Sequence, residues 1–317
     1  MATKFRYPTG ARPLLIEETA RRRRIESRFV SILESAGFSE IVLPIIDYAE
    51  PYAPILERGS VRQSYRFVDR EGELVGIRSD FTPMVARALA PSMSPGELLR
   101  VFYRGDVIRC EASRLGANRE LFQIGAEIVG DPSPAADIAV MRLAADILRA
   151  FDAKPLVVYN DTSLVAQFDE STRTALTTKR MRDGLPPLAQ KLIAGTATID
   201  DVRAFDAQSA ERLDAIAREL DPDEFQLHLD DIDENNGYYT GLRFRLFSAG
   251  SRTKLAQGGR YDTLYERFGT PAAAVGFTFT IDELLERRPR AGWPEDVSSS
   301  RRRDAAEPAA ETAAFPE

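Results

Sequence analysis

Two strand-like runs, about residues 98–109 and 119–129, stand on either side of a polar loop, Cys110 to Asn118, that contains Gly116 and Asn118. Runs so close in sequence pair antiparallel, since a parallel pair needs a long crossover. A second hairpin is predicted over 64–80, where Tyr65-Arg66-Phe67-Val68 and Leu74-Val75-Gly76-Ile77 are separated by the turn-forming Asp69-Arg70-Glu71-Gly72. Further strands are expected at Glu40 to Ile46, Leu156 to Tyr159, 224–230 and 238–247, with a last apolar segment from Ala274 to Leu285. Strands outnumber long helices, so the fold class expected is α+β, an antiparallel sheet with helices packed on it.

The helices are few and well marked. Residues 14–35 place Ile25, Phe29, Ile32 and Leu33 on one stripe and stop at Gly37. The arginine run Arg21 to Arg24 follows Glu17 and Glu18 by four residues, the favourable spacing for helix surface pairs, which predicts a solvated face and not a nucleic-acid patch. The proline in the next strand, Pro44, cannot donate to a ladder and predicts an edge or irregularity. Thr82 and Pro83 supply a cap and a first-turn proline for a helix to about Ala90, and Asp131-Pro132-Ser133-Pro134 introduces another over 134–151. A peripheral helical section is expected at about 161–219, and residues 287–317, rich in Arg, Pro, Ala, Ser and Glu, as a disordered tail.

Composition removes several chemistries. Forty-nine acidic against 42 basic residues give a net charge of −7, the wrong sign for a broad grip on nucleic acid. The one cysteine, Cys110, excludes an internal disulfide and a thiolate zinc site, which fits a reducing, cytoplasmic setting. No run approaches the roughly 18 apolar residues of a membrane span, and MATKFRYPTG lacks the apolar core of a signal peptide. His228 is the sole histidine, so any triad or imidazole base would have to run through it. It alternates with Phe225, Leu227 and Leu229, which reads as an ordinary strand histidine. No metal or cofactor is expected.

The order of motifs resembles class II aminoacyl-tRNA synthetases, and within them the histidyl branch. Val101 to Glu111 followed by Arg119 to Glu127 is similar to motif 2 of that class. The first helix and the Pro44 strand resemble motif 1, the dimer element, which implies a homodimer. Asn236-Gly237-Tyr238-Tyr239-Thr240-Gly241 resembles the histidine-recognition segment of the branch, and Gly258 to Asp262 with Ala274 to Phe277 the approach to motif 3. The resemblance spans about residues 10–286 and implies one synthetase-like core over 1–286.

It also implies a histidine pocket. Asp80 stands where the family places a carboxylate for the α-amino group, Gln123 and Glu127 reach from the motif 2 strand, and Tyr238 and Tyr239 cover the imidazole. Gln123 and Glu127 are four apart, so a strand presents both on one face. For either residue alone a satisfied strand polar is the better reading; five positions in register favour a site. Arg109, the motif 2 arginine, is retained, either to meet an anion or to hold Glu127 or Asp80. Two further arginines the family uses for adenylation fall on Glu234 and Glu283, and a carboxylate beside phosphate turns attraction into repulsion of about a kcal/mol or more. An anticodon-binding domain of about a hundred residues is usual in the branch, and none is expected here.

A synthetase-like chain that keeps the amino-acid pocket and lacks the phosphate arginines resembles the regulatory subunits of ATP phosphoribosyltransferase. That resemblance implies a non-catalytic chain that binds histidine and activates and feedback-regulates a separate short catalytic subunit in the first step of histidine biosynthesis, with no tRNA and no membrane partner. The alternatives are an active histidyl-tRNA synthetase-like amino-acid-activating enzyme, a ligase that joins an amino acid to another acceptor, and an interaction protein that binds no histidine.

Overall fold

The computed structural model describes residues 7–56, 64–110, 118–232 and 239–285. Its strands are β1 (Ser39–Glu40), β2 (Ile46–Tyr48), β3 (Arg66–Val68), β4 (Leu74–Ile77), β5 (Leu99–Ile108), β6 (Glu120–Val129), β7 (Pro155–Asp161), β8 (Phe225–Leu227), β9 (Leu242–Ser248), β10 (Lys254–Arg260) and β11 (Ala274–Thr280). One sheet runs β1-β5-β6-β11-β10-β9-β7-β8, and β2-β4-β3 form a second, smaller one. The central strands of the large sheet pair antiparallel, while β1 and β8 lie parallel at its two edges. The hairpin expected from the two long runs is its longest pairing, in register from Leu99 opposite Val129 to Ile108 opposite Glu120.

Alternation along these strands sorts side chains into two layers. Phe102 of β5, Ile124, Ala126 and Ile128 of β6, and Val275, Phe277 and Phe279 of β11 enter the main core. Helices Ile16–Ser35 and Pro134–Arg149 cover that face, the first with Ile25, Phe29 and Leu33 and the second with Met141, Ala145 and Leu148. Phe29 meets Phe279 edge to face with ring centroids 5.0 Å apart, a preferred aromatic geometry. The other face carries Val101, Tyr103 and Val107, packed under Val85 of helix Thr82–Leu89. The functional site opens on this second face.

Three local expectations are corrected. The strand from Glu40 to Ile46 is two strands, β1 and β2, in different sheets; Pro44, with no N–H, lies between them, and the Arg78 guanidinium holds the Leu43 and Pro44 carbonyls of the crossing segment. Thr82 is inside its helix and Phe81 occupies the cap position, while the Thr82 N–H donates to Asp80. The arginine run is not a purely solvated face. Glu18 accepts from Arg12, and Arg22 turns to Glu26 and Asp106 with its guanidinium 3.7 Å from the Phe122 ring centroid. Glu26, 1% exposed, is the cause: it draws Arg22 inward and also pairs with the exposed Arg23.

The helical section between β7 and β8 comprises Ser163–Ala166, Glu170–Thr177, Pro187–Ala194, Ile199–Phe205 and Ala207–Glu219. Leu176, Leu188, Val202, Leu213 and Ile216 continue the main core into it, so it is anchored as well as peripheral. His228 follows β8 and is exposed, 3.9 Å from Asp230. Residues 287–317 lie outside the described residues, as do Glu234 and Tyr238. Among the described residues, no helix is long and apolar enough to cross a membrane and no group of His, Cys, Asp and Glu could hold a metal ion.

Candidate functional site

The second face of the sheet is hollowed by the register of four strands. Val101, Glu127, Gly276 and Gly259 form one row across β5, β6, β11 and β10, and Tyr103, Gly125, Thr278 and Gln257 form the next. Each row sets glycine beside a large polar side chain, Gly276 beside Glu127 and Gly125 beside Tyr103. A methyl group at Gly276 would overlap the Glu127 carboxylate, and one at Gly259 would press 2.7 Å from the Tyr239 ring. These positions take glycine because neighbouring side chains occupy the space of a Cβ.

The cleft so formed is open to solvent and has about 370 Å³ of space between its atoms and the solvent at its mouth. Asp80, Thr82, Arg109, Gln123, Tyr239, Tyr261 and Thr278 contribute side chains to its wall, with Gly258 and Gly276 in the floor. Four of the six residues expected at a site therefore share it directly: Asp80, Arg109, Gln123 and Tyr239. Glu127 lies one layer deeper, and Tyr238 falls outside the described residues. Gln123 and Glu127 occupy one face of β6, as their spacing requires. Glu283, on the helix that follows β11, is not part of the wall.

Glu127 is the unusual group. It is 1% exposed and accepts from Thr82 Oγ1 at 3.3 Å and the Tyr103 hydroxyl at 3.2 Å, both on Oε1, and from the Tyr261 hydroxyl on Oε2. Burial pushes its carboxyl up to about 8, and the Asp80 charge adds to that; the three hydroxyl bonds offset only part of it. Burial likewise raises Asp80, against which the Arg109 guanidinium and the Thr82 and Phe81 N–H groups act. The Arg109 guanidinium lies near enough to Asp80 to favour its charged form. The carboxyl oxygens of Asp80 and Glu127 leave the cleft favouring a ligand that brings N–H donors.

Sequence reasoning missed the hydroxyls. Tyr103, Tyr261, Thr82 and Thr278 come together only through strand register and the roof helix, and the Gly-Gly-Arg-Tyr-Asp run that carries Tyr261 was read for its order alone. Its arginine is structural: Arg260, 0% exposed, donates to Asp137 at 2.8 Å and to the Asp131 and Ser133 carbonyls. The signal available in sequence was glycine inside strands, at Gly125, Gly258, Gly259 and Gly276, which marks close approach of other groups.

A family model described as histidyl-tRNA synthetase matches residues 10–167 and 160–284. An ATP phosphoribosyltransferase regulatory subunit of Geobacter metallireducens is 31% identical over 94% of this chain and 76% of its own length. One of Symbiobacterium thermophilum is 30% identical over 92% of this chain and 82% of its own. Among solved structures, a histidine–tRNA ligase subunit of Alicyclobacillus acidocaldarius superposes with a TM-score of 0.72 at 26% identity, over 90% of this chain and 97% of that one. A Bacillus halodurans protein described as an ATP phosphoribosyltransferase regulatory subunit/histidyl-tRNA synthetase shares the fold with a TM-score of 0.75 at 23% identity, over 90% and 84% of the two chains. Fold, motif order and these likenesses agree: the chain belongs to the family of ATP phosphoribosyltransferase regulatory subunits, built on the α+β core of histidyl-tRNA synthetase.

Proposed function

We propose that the chain binds free histidine in the cleft of β5, β6, β11 and β10 and conveys its presence to a separate short catalytic subunit, which joins ATP to phosphoribosyl pyrophosphate in the cytoplasm. The observation that carries this reading is the acceptor-rich pocket itself: Asp80 for the α-ammonium, Gln123 and the Glu127 cluster for the ring, and Tyr239 against one side. Tyr238, next in sequence, is the second covering ring of the same reading. Arg109 is the single guanidinium of the described wall and stands beside Asp80, placed for the ligand's carboxylate.

No bond is made or broken by this chain. Nucleotidyl transfer builds negative charge that needs several planar cations around phosphorus, and Glu283 and Glu234 stand where the synthetases have two of them. The regulatory step is linkage: histidine favours one state of the assembly, and its difference in affinity between states biases the partner's activity. A homodimer through helix Ile16–Ser35 and the Pro44 segment completes the proposal. Its support is the set of exposed apolar side chains at Ile16, Val42, Ile46, Tyr48, Phe67, Val68 and Leu74, which water disfavours.

The test is reconstitution with a short catalytic subunit. Adding the chain is expected to raise the rate of ATP and phosphoribosyl pyrophosphate condensation, and histidine to suppress it in the mixture and not in the catalytic subunit alone. Histidine-dependent exchange of pyrophosphate into ATP by the chain itself would instead establish an amino-acid-activating enzyme.

A further inference from the structure

Four charges of alternating sign run from the helical section to the rim of the cleft. Arg212 of helix Ala207–Glu219 donates to Asp137 at 2.8 Å, and Asp137 accepts from Arg260 at 2.8 Å. Arg260 also donates to Asp262 at 3.1 Å, and the Asp262 N–H donates to Thr240 Oγ1 at 2.9 Å. The backbone of Arg260 meets Thr240 as well, its carbonyl accepting the Thr240 N–H at 2.7 Å. Asp137 and Arg260 are both 0% exposed, and charged groups shut away from water hold one another more firmly than surface pairs do. Without Arg212 the row would be one cation between two carboxylates. Arg212 balances it and fixes Arg260 where it meets Thr240.

The next residue, Gly241, is held by the same two arginines. A methyl group there would lie 3.4 Å from Arg260 Cδ and 3.5 Å from Arg212 Nη1, so both side chains pack against its bare backbone. The Gly241 carbonyl accepts from the Thr162 N–H and from the Thr162 hydroxyl, each at 2.8 Å, where β7 passes into the helical section. Thr240 and Gly241 directly follow Tyr239, whose ring lies over Gly259 in the cleft wall. The two residues that aim Tyr239 are therefore gripped by the end of β10 on one side and by the helical section on the other.

We propose that Arg212 is a positioning residue for the cleft: from a helix outside the described wall it fixes Thr240 and Gly241, and through them the Tyr239 ring against the bound ligand. This rests on the histidine reading above and names the helical section as an element that the ligand biases. A Tyr239 ring seated on its ligand and an Arg212 guanidinium seated on Asp137 and Gly241 favour one another, and such a coupling is reciprocal.

The experiment is calorimetric titration of the full chain with L-histidine, in wild type, Arg212→Met, Tyr239→Leu and the double variant. Methionine keeps much of the aliphatic stem and removes the charge. Arg212→Met is expected to weaken histidine binding about tenfold in protein that is folded by circular dichroism. In the Tyr239→Leu background the same substitution is expected to cost about twofold or less, since the ring through which it acts is gone. An arginine that served stability alone would lower the denaturant midpoint and leave the affinity of the folded protein where it was. Arg212→Lys keeps a cation for Asp137 and loses the planar face against Gly241. It is expected to weaken histidine binding about threefold and carries the test should Arg212→Met fail to fold. Wild type that binds no histidine overturns the histidine reading and this proposal with it. Affinity unchanged in the folded Arg212 variants, or an equal loss with and without the Tyr239 ring, overturns the positioning role alone.

Discussion

Glu127 and Asp137 are both buried carboxylates, 1% and 0% exposed, on opposite sides of the same sheet segment, and they are satisfied in opposite ways. Asp137 lies between two guanidiniums, with Arg260 and Arg212 each at 2.8 Å. Burial pushes its carboxyl up and the two arginines pull it back. It ties helix Pro134–Arg149 to the end of β10 and to helix Ala207–Glu219, with charge balanced inside the protein. Glu127 has three hydroxyls and no cation within ion-pair distance among the described residues, and its carboxylate fills the space that a side chain at Gly276 would need. A buried carboxylate with its counter-charges in place is a structural strut; one given only hydroxyls is left to be completed from outside. That contrast separates scaffold from site in a chain whose motifs carry both.

The contrast can be broken most forcefully with Glu127→Gln. The Glu127 carboxyl titrates at about 8 when folded, against an ordinary 4.5, so the stability it contributes is complete below about 4.5 and is lost as pH rises through about 8. The variant does not titrate, so it should gain on wild type across that window, by about 4–5 kcal/mol at the upper end. Parallel pH profiles for the two proteins contradict this. Asp137→Asn should behave in the reverse sense. Asp137→Asn takes from Arg260, 0% exposed, the buried one of its two counter-charges and leaves it Asp262 at 3.1 Å, and is expected to cost about 3 kcal/mol of unfolding free energy; a denaturant midpoint unchanged from wild type would make the two carboxylates alike.

Gly276→Ala sharpens the comparison from the other side of the floor. Its methyl group meets the Glu127 carboxylate and the Ala126 carbonyl, and overpacking of this kind costs about 1–3 kcal/mol. Histidine affinity should fall at least tenfold, since the carboxylate must move. At the small end, Glu18→Gln breaks the Arg12 pair, in which both side chains are 49% exposed. Thermal unfolding should change by no more than about 0.5 kcal/mol.

Much of this architecture was legible in sequence. The β5–β6 hairpin, the helix stripe of Ile25, Phe29 and Leu33, and the shared face of Gln123 and Glu127 follow from periods of two and 3.6, which are local properties. Pro44 marked an irregularity correctly, but that β1 and β2 would part into different sheets depends on Arg78, more than thirty residues away. Arg22 was assigned to its helix surface because Glu18 is near in sequence; the pull of Glu26 from the buried face decides otherwise. The hydroxyl cluster was invisible for the same reason. Tyr103 and Tyr261 reach Glu127 across 24 and 134 residues of chain, and only strand register brings them together. Thr82 looked like a cap because residue type and a following proline are cap signals, whereas its hydroxyl is spent on Glu127.

Titration of the purified chain with L-histidine, repeated on Glu127→Ala, bears most directly on the central claim that the cleft is a histidine site. Saturable binding by wild type that the substitution abolishes is the result the account predicts. Absence of heat with histidine, both alone and with the catalytic subunit present, would contradict it.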